Sequence, residues 1–418
     1  MESYRVQVER LYERSTFYRN KLRAAGFESP RAVGGLERIA QLPFTEKDEL
    51  RASQAAHPPL GAHAAIEISQ AARIYSTSGT SGAPVYIPLT RSDVEQWREI
   101  GRRTYSRNGL KAGERVVTTY GAGPFVAGAS LTAFEAIGAV HIPVGVGNTE
   151  KLLAALERLR PEALACTPSY ALHLSEKVRK HSLQRIIVGG EPGGGEASFR
   201  GKLEQAWGCR VYEIMGIGDI AASLWGECPA QAGMHFSAGE FIHVELIDPD
   251  SERNVELRDG AVGELVYTHL QREAAPLLRF RSRDHVQVWS SKCACGASAL
   301  RVRCIGRTDD MLIVRGVNVF PSALREVVSG FAPRVSGHLL VRPEAAGVKQ
   351  EPPLPVSVEL ARGAEPAGDL ADAIRARIRD VLIVQTRVEL VPWGTLERSE
   401  YKSKLVEHQK EETWHRTR

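Results

Sequence analysis

Cysteine is scarce in this chain, with six in 418 residues. That density excludes a disulfide-stapled scaffold, and the C-x-C pair among the six points to metal ligation or buried thiols. Positive charge is also in short supply. The formal excess is only +4, which suits handling of anionic small molecules better than gripping a nucleic-acid backbone. No basic stripe with interleaved aromatics is present, so no nucleic-acid partner is expected. No uncharged apolar stretch reaches about 18 residues, so no membrane-spanning helix and no membrane partner are expected. The opening residues MESYRVQVER lack the apolar core of a signal peptide, and the expected location is the cytoplasm. Internal repeats are absent. So is any G-x-x-x-x-G-K-[ST] loop, which disfavours a P-loop NTPase. What remains is an ordinary globular mixture, 43% hydrophobic and 25% charged, which rules out a disordered or collagen-like chain. Its length calls for two or more domains.

The opening 25 or so residues read as one amphipathic helix, with Val6, Leu11, Phe17, Tyr18 and Leu22 on one face. Leu42-Pro43-Phe44-Thr45 leads into a charged helix, and Thr45 with Asp48 makes a capping box. From about 71 to 235, strand-like runs at 115–120, 140–144, 163–166 and 185–188 alternate with helical stretches. This predicts an α/β region with a largely parallel sheet. After about 235 the strands look antiparallel (241–247, 263–269, 285–289). The last hundred residues read as a smaller α+β unit, with strands at 336–341, 355–360 and 387–391 and a helix at 369–381. The stretch 342–355 reads as a surface loop.

Several stretches carry chemistry. Ser76-Thr77-Ser78-Gly79-Thr80-Ser81-Gly82 is all small or hydroxyl-bearing and cannot pack a core. It is either a loop whose N–H groups and hydroxyls surround phosphate oxygens or a flexible linker. Downstream, in order, come Gly190-Glu191-Pro192, Tyr212-Glu213-Ile214-Met215-Gly216-Ile217-Gly218-Asp219, Arg279-Phe280-Arg281-Ser282-Arg283-Asp284, Gly306-Arg307-Thr308-Asp309-Asp310 and Arg398-Ser399-Glu400-Tyr401-Lys402. Taken alone, Asp219 and Asp284 are ordinary loop aspartates, and Lys402 is one of several lysines near the C-terminus, with Lys404 a near-equal rival.

In this order the motifs resemble the adenylate-forming superfamily of acyl-CoA ligases, adenylation domains and luciferases, and within it the phenylacetate–CoA ligase family. Phe17-Tyr18-Arg19, Leu42-Pro43-Phe44-Thr45, Tyr120-Gly121-Ala122-Gly123-Pro124-Phe125, Thr167-Pro168-Ser169-Tyr170 and the run Met311 to Pro321 extend the resemblance over nearly the whole chain. It implies an α/β protein with a large multi-layer N-terminal domain (1–308) of mainly parallel sheets plus a β-rich subdomain. A small mobile α+β C-terminal domain (309–418) would rotate about a hinge at Asp309. The implied reaction has two steps. A carboxylate attacks the α-phosphorus of ATP, giving an acyl-adenylate and pyrophosphate; a second nucleophile then displaces AMP. That nucleophile is by default the thiol of coenzyme A, the alternatives being a carrier-protein thiol or an amine.

By the same resemblance, Lys402 is the cation that reaches the carboxylate and α-phosphate, and Asp219 binds Mg²⁺ on the phosphates. Thr77, Ser78, Gly79, Thr80, Ser81 and Gly82 form the phosphate loop, and Gly190, Glu191 and Pro192 line the adenine. Glu213 belongs with the nucleotide-binding set, Asp284 takes both ribose hydroxyls, and Arg307 lies near ribose and phosphate. Tyr120, Phe125, Met215, Gly216 and Ile217 would line a mostly apolar acid pocket suited to an aromatic or heteroaromatic ring. Gly316 either admits the pantetheine arm or serves only a tight turn. A homodimer is left open.

Three positions depart from the family pattern. Ala83 replaces a phosphate-loop lysine, Met215 an aromatic residue that would stack on adenine, and Gly218 a hydroxyl residue. They lead us to expect weakened ATP binding, with a binding protein lacking turnover as the rival reading. Finally, Cys228-x6-His235 followed by Cys293-x-Cys295 has the makings of a closed Cys₃His zinc site. The other reading is free surface thiols, and Cys304 could take the place of one ligand.

Overall fold

The computed structural model describes residues 2–77, 84–121, 126–308, 310–315, 317–345, 347–365, 368–399 and 404–407. The chain divides into two compact units. One comprises Met1–Cys166, Val178–Gly190 and Arg210–Cys304; the other comprises Thr167–Lys177, Glu191–Cys209 and Ile305–Arg418. The second unit therefore contains two segments that precede residue 308 as well as the C-terminal stretch.

The first unit is built on one sheet of twelve strands. Five parallel strands, Val140–Pro143, Arg115–Thr118, Ala163–Cys166, Arg185–Val188 and Arg210–Ile217, lie side by side. Their middle members are almost entirely β-branched, Leu, Ala or Cys and are fully buried, as expected for strands covered on both faces. Arg210–Ile217 is the turning point: it runs parallel to Arg185–Val188 and antiparallel to Ala221–Glu227. From there the sheet continues antiparallel through Met234–Phe236, and Ile242–Ile247, Val262–His269 and Phe280–Trp289 form its far part. Leu, Ile, Val, Tyr and Phe side chains from the far part pack with the N-terminal helices in one large core. Each fully buried Leu or Ile there contributes about 1.5–3 kcal/mol.

The opening helix is two helices. Glu2–Arg14 ends before Ser15, whose hydroxyl accepts the Tyr18 N–H and caps a second helix, Thr16–Ala24. A serine that satisfies an orphan N–H this way starts a helix more readily than it continues one. The capping box at the helix Lys47–Ala56 is one residue later than expected: Glu46 and Glu49 make it. Thr45 is otherwise engaged. Its hydroxyl donates to the Leu278 carbonyl at 2.7 Å, and its backbone pairs with the start of the Phe280–Trp289 strand. That strand begins five residues earlier than the sequence indicates, so Asp284 lies within a strand.

In the second unit, Val335–Val341 pairs antiparallel with Leu354–Leu360, which pairs parallel with Thr386–Val391. Leu370, Ile374 and Ile378 fall at i, i+4 and i+8 on the helix Leu370–Leu382 and are buried with Leu324, Val328 and the inward valines of this sheet. The expected surface loop at 342–355 holds a short strand, Lys349–Gln350, paired parallel to Leu312–Val314. Among the described residues, no helix is long and apolar enough to cross a membrane.

Candidate active site and metal cluster

The strands Arg210–Ile217 and Ala221–Glu227 join through a tight turn that carries Gly218 and Asp219. Gly216 cannot be replaced without opening this hairpin, because a Cβ there would lie 1.9 Å from the Ala222 carbonyl oxygen. Met215 is half-buried against the large core and Ile217 is buried in it. Earlier in the strand, Glu213 is buried, and its N–H donates to Glu227 Oε2.

Asp219 is the chemically conspicuous residue of the turn. It is 4% exposed. Its Oδ2 accepts from Lys47 Nζ at 2.9 Å, while its Oδ1 has no hydrogen-bond partner among the described residues. A buried carboxylate oxygen left without a donor costs about 1–3 kcal/mol, and a hard divalent cation is the ligand such an oxygen fits. The surroundings are cationic and rigid. Arg272, fully buried, donates to the carbonyls of Ile220 and Pro88, stacks over Trp97, and lies 3.6 Å from Asp93. Asp93 itself accepts three backbone N–H groups. Burial holds His63 down to about 4 against the opposing pull of Asp219. Burial and the nearby Arg272 hold His269, bonded to the Ile220 carbonyl, down to about 3. Both imidazoles are therefore neutral near pH 7.

Thr77 closes the base of the hairpin Arg73–Ser76/Tyr86–Leu89: its N–H donates to the Val85 carbonyl, and its hydroxyl accepts the Val85 N–H. The hydroxyl-rich connection is thus held at its stem. Asp284 is buried, with its N–H on Ser282 Oγ. The Tyr120 hydroxyl donates to the Cys166 carbonyl, so this ring stands in the small core around Phe134 and Ile214. Gly190 ends the middle segment of the first unit. In the second unit, Glu191 accepts the Ser169 N–H and the Pro192 carbonyl accepts from Arg325. Arg307 is half-buried at the end of its strand. Arg398 makes a two-pronged pair with the fully buried Glu359, which also accepts the N–H groups of Gly394 and Leu396. This fixes the chain just ahead of residues 400–403. Ser78, Gly79, Thr80, Ser81, Gly82, Phe125, Asp309, Gly316 and Lys402 lie outside the described residues.

The other grouping is wholly within the first unit. Cys228 follows the strand Ala221–Glu227, His235 lies in Met234–Phe236, and Cys293 and Cys295 sit in the turn after Phe280–Trp289. The pairing of Arg301 with His235 draws these segments together. The four ligand atoms all lie within 4.8 Å of one another, with Cys228 Sγ 3.8 Å from Cys293 Sγ and Cys295 Sγ 3.6 Å from His235 Nε2. Cys304 is outside the cluster. Burial pushes the Cys228 thiol up to about 11, while burial and then Arg107 and Arg301 hold His235 down to about 4. A neutral imidazole among three sulfurs is a donor set suited to tetrahedral Zn²⁺.

Sequence reasoning did not find Lys47, Arg272 or His63. Lys47 read as part of a charged helix start, and its partner is 172 residues away.

Comparison with known proteins agrees with this architecture. Residues 316–410 match the AMP-binding enzyme C-terminal domain. The chain is 34% identical to a phenylacetate–coenzyme A ligase of Thermus thermophilus, over 94% of this chain and 92% of that one. It is 29% identical to the phenylacetate–coenzyme A ligase of Escherichia coli, over 95% and 91%. A crystal structure of 2-hydroxyisobutyryl-CoA ligase in the postadenylation state, in complex with an acyl-AMP, superimposes with a TM-score of 0.88 at 26% identity, covering 98% of this chain and 88% of that one. The chain belongs to the phenylacetate–coenzyme A ligase family and is an ATP-dependent adenylate-forming ligase.

Proposed function

We propose that this ligase activates an aromatic or heteroaromatic carboxylic acid as its acyl-adenylate and passes the acyl group to the thiol of coenzyme A. The observation that carries the reading is the buried Asp219 carboxylate with one oxygen unpartnered among the described residues, on a turn whose strand also bears Met215, Gly216 and Ile217. Mg²⁺ on Asp219 would neutralise charge on the phosphates. The acid's carboxylate oxygen bonds to the α-phosphorus as the bond to pyrophosphate breaks. Asp284 takes the ribose hydroxyls, and Glu191 and Pro192 line the adenine. Lys402 supplies the ammonium at the reacting carboxylate, and Arg307 supports the nucleotide. In the second step the thiolate sulfur bonds to the acyl carbon and AMP leaves. The small domain 309–418, turning about Asp309, exposes a different face for each step. Zn²⁺ held by Cys228, His235, Cys293 and Cys295 has a structural role.

Pyrophosphate release across a panel of aryl acids, each with ATP and Mg²⁺, tests the first step. Mass spectrometry of products with coenzyme A, a carrier protein or an amine tests the second. Release with aliphatic acids alone would overturn the aryl assignment, and an amide product would overturn the acceptor.

A further inference from the structure

Lys47 is the first residue of the helix Lys47–Ala56, where a cation opposes the positive end of the helix dipole and weakens the helix by a few tenths of a kcal/mol. The misfit calls for a reason outside the helix. The main chain places it: Thr45 pairs with Phe280, Glu46 bonds to Arg283, and the Lys47 ammonium then reaches Asp219 at 2.9 Å. Lys47 thus stands against Asp219, and the two residues before it contact the strand that carries Asp284. It takes only one oxygen of Asp219, the other being buried and without a partner among the described residues. The Lys47 side chain is one-third exposed, against 3% for Asp219, so the lysine is the partner with freedom to move.

We infer that Lys47 is a ligand for the β- and γ-phosphates of ATP and for the departing pyrophosphate, standing in for the cation at Asp219 until Mg²⁺ arrives with its phosphates. The inference rests on the nucleotide reading of Asp219 given above. The ammonium holds Oδ2 and leaves Oδ1 for the metal, so the two cations would meet on one carboxylate and repel at close range. The four-carbon stem of Lys47 lets its ammonium turn from the carboxylate to a new anion, the phosphate chain.

The test is calorimetric titration of the full chain with three probes: Mg·ATP, Mg·pyrophosphate and AMP. Lys47→Met should weaken Mg·ATP and Mg·pyrophosphate at least ~10-fold, the scale of one charge-assisted hydrogen bond, and leave AMP within about twofold. Lys47→Arg, which keeps the charge, should recover most of the loss. If Lys47→Met folds poorly because Asp219 is left unpaired, the double variant Lys47→Met/Asp219→Asn is compared with Asp219→Asn, and the same pyrophosphate-over-AMP loss is expected. Unchanged affinity for ATP and pyrophosphate, or equal loss for all three probes, would overturn the inference. A wild-type chain that binds AMP but neither phosphate probe also overturns it. One that binds none of the three overturns the nucleotide reading itself.

Discussion

The strand Ala221–Glu227, about 20 Å from end to end at ~3.3 Å per residue, has a carboxylate at one end and a sulfur cluster at the other. Before it stands Asp219, with one oxygen paired to Lys47 and the other without a partner among the described residues; after it stands Cys228, surrounded by His235, Cys293 and Cys295. A ligand at that oxygen would complete the first end. The second has four soft donors facing one another and leaves no position for a substrate. On the function proposed above, one secondary-structure element would serve turnover at one end and rigidity at the other. The expected signatures are opposite: loss of rate without loss of fold, and loss of fold without a direct effect on rate.

The largest effect is expected at the carboxylate end. Asp219→Asn should lower the rate of acid-dependent pyrophosphate release at least ~100-fold, with a melting temperature within a few degrees of wild type. A variant that melts early but turns over normally per folded molecule would reverse the comparison. At the other end, Cys293→Ser should abolish bound zinc, as read by elemental analysis, and lower the melting temperature by about 10 °C. The rate at 25 °C should be nearly unchanged. Zinc-free wild-type protein of full stability would remove the structural role.

Acid should act on the first end at a smaller scale. His63 and His269 have pKa values near 4 and 3 in the folded protein, against 6.5 as the ordinary value. Between pH 6.5 and about 4 the unfolded chain therefore binds more protons than the folded one. Stability is full above pH 6.5 and falls on acidification, by roughly 1 kcal/mol per histidine per pH unit. Denaturant melts at pH 7.5, 6 and 5 measure this, and His63→Gln should flatten the slope; a pH-independent midpoint would contradict the buried neutral state. The smallest effect is expected for Cys304→Ser, which lies outside the cluster. Zinc content should be unchanged and the melting temperature should move by no more than about 2 °C.

Much of this was readable from local pattern. The strands Ala163–Cys166 and Arg185–Val188 agree to the residue with the sequence reading, because short apolar runs between turn signals leave little choice. The four Cys and His positions could be singled out from spacing, and the structure brings them together. What could not be read depended on distant partners. The capping box moved because the Thr45 hydroxyl is taken by a carbonyl 233 residues away. Lys47 looked like helix surface because Asp219 is far off in sequence. The opening helix broke at Ser15, whose hydroxyl also donates to the Ala62 carbonyl. The roles of Asp284 and Lys402 come from motif resemblance, since no local property separates them from other aspartates and lysines.

The strand Arg210–Ile217, parallel to one neighbour and antiparallel to the other, also bears on the order of folding. Its pairing with Ala221–Glu227 closes a loop of three residues, whereas its pairing with Arg185–Val188 must close one that includes the helix Ala197–Trp207. Loop-closure entropy favours the shorter route. The hairpin is therefore expected to be organised in the folding transition state before the parallel half of the sheet docks. Substitutions in it should slow refolding, whereas those in Arg185–Val188 should mainly speed unfolding.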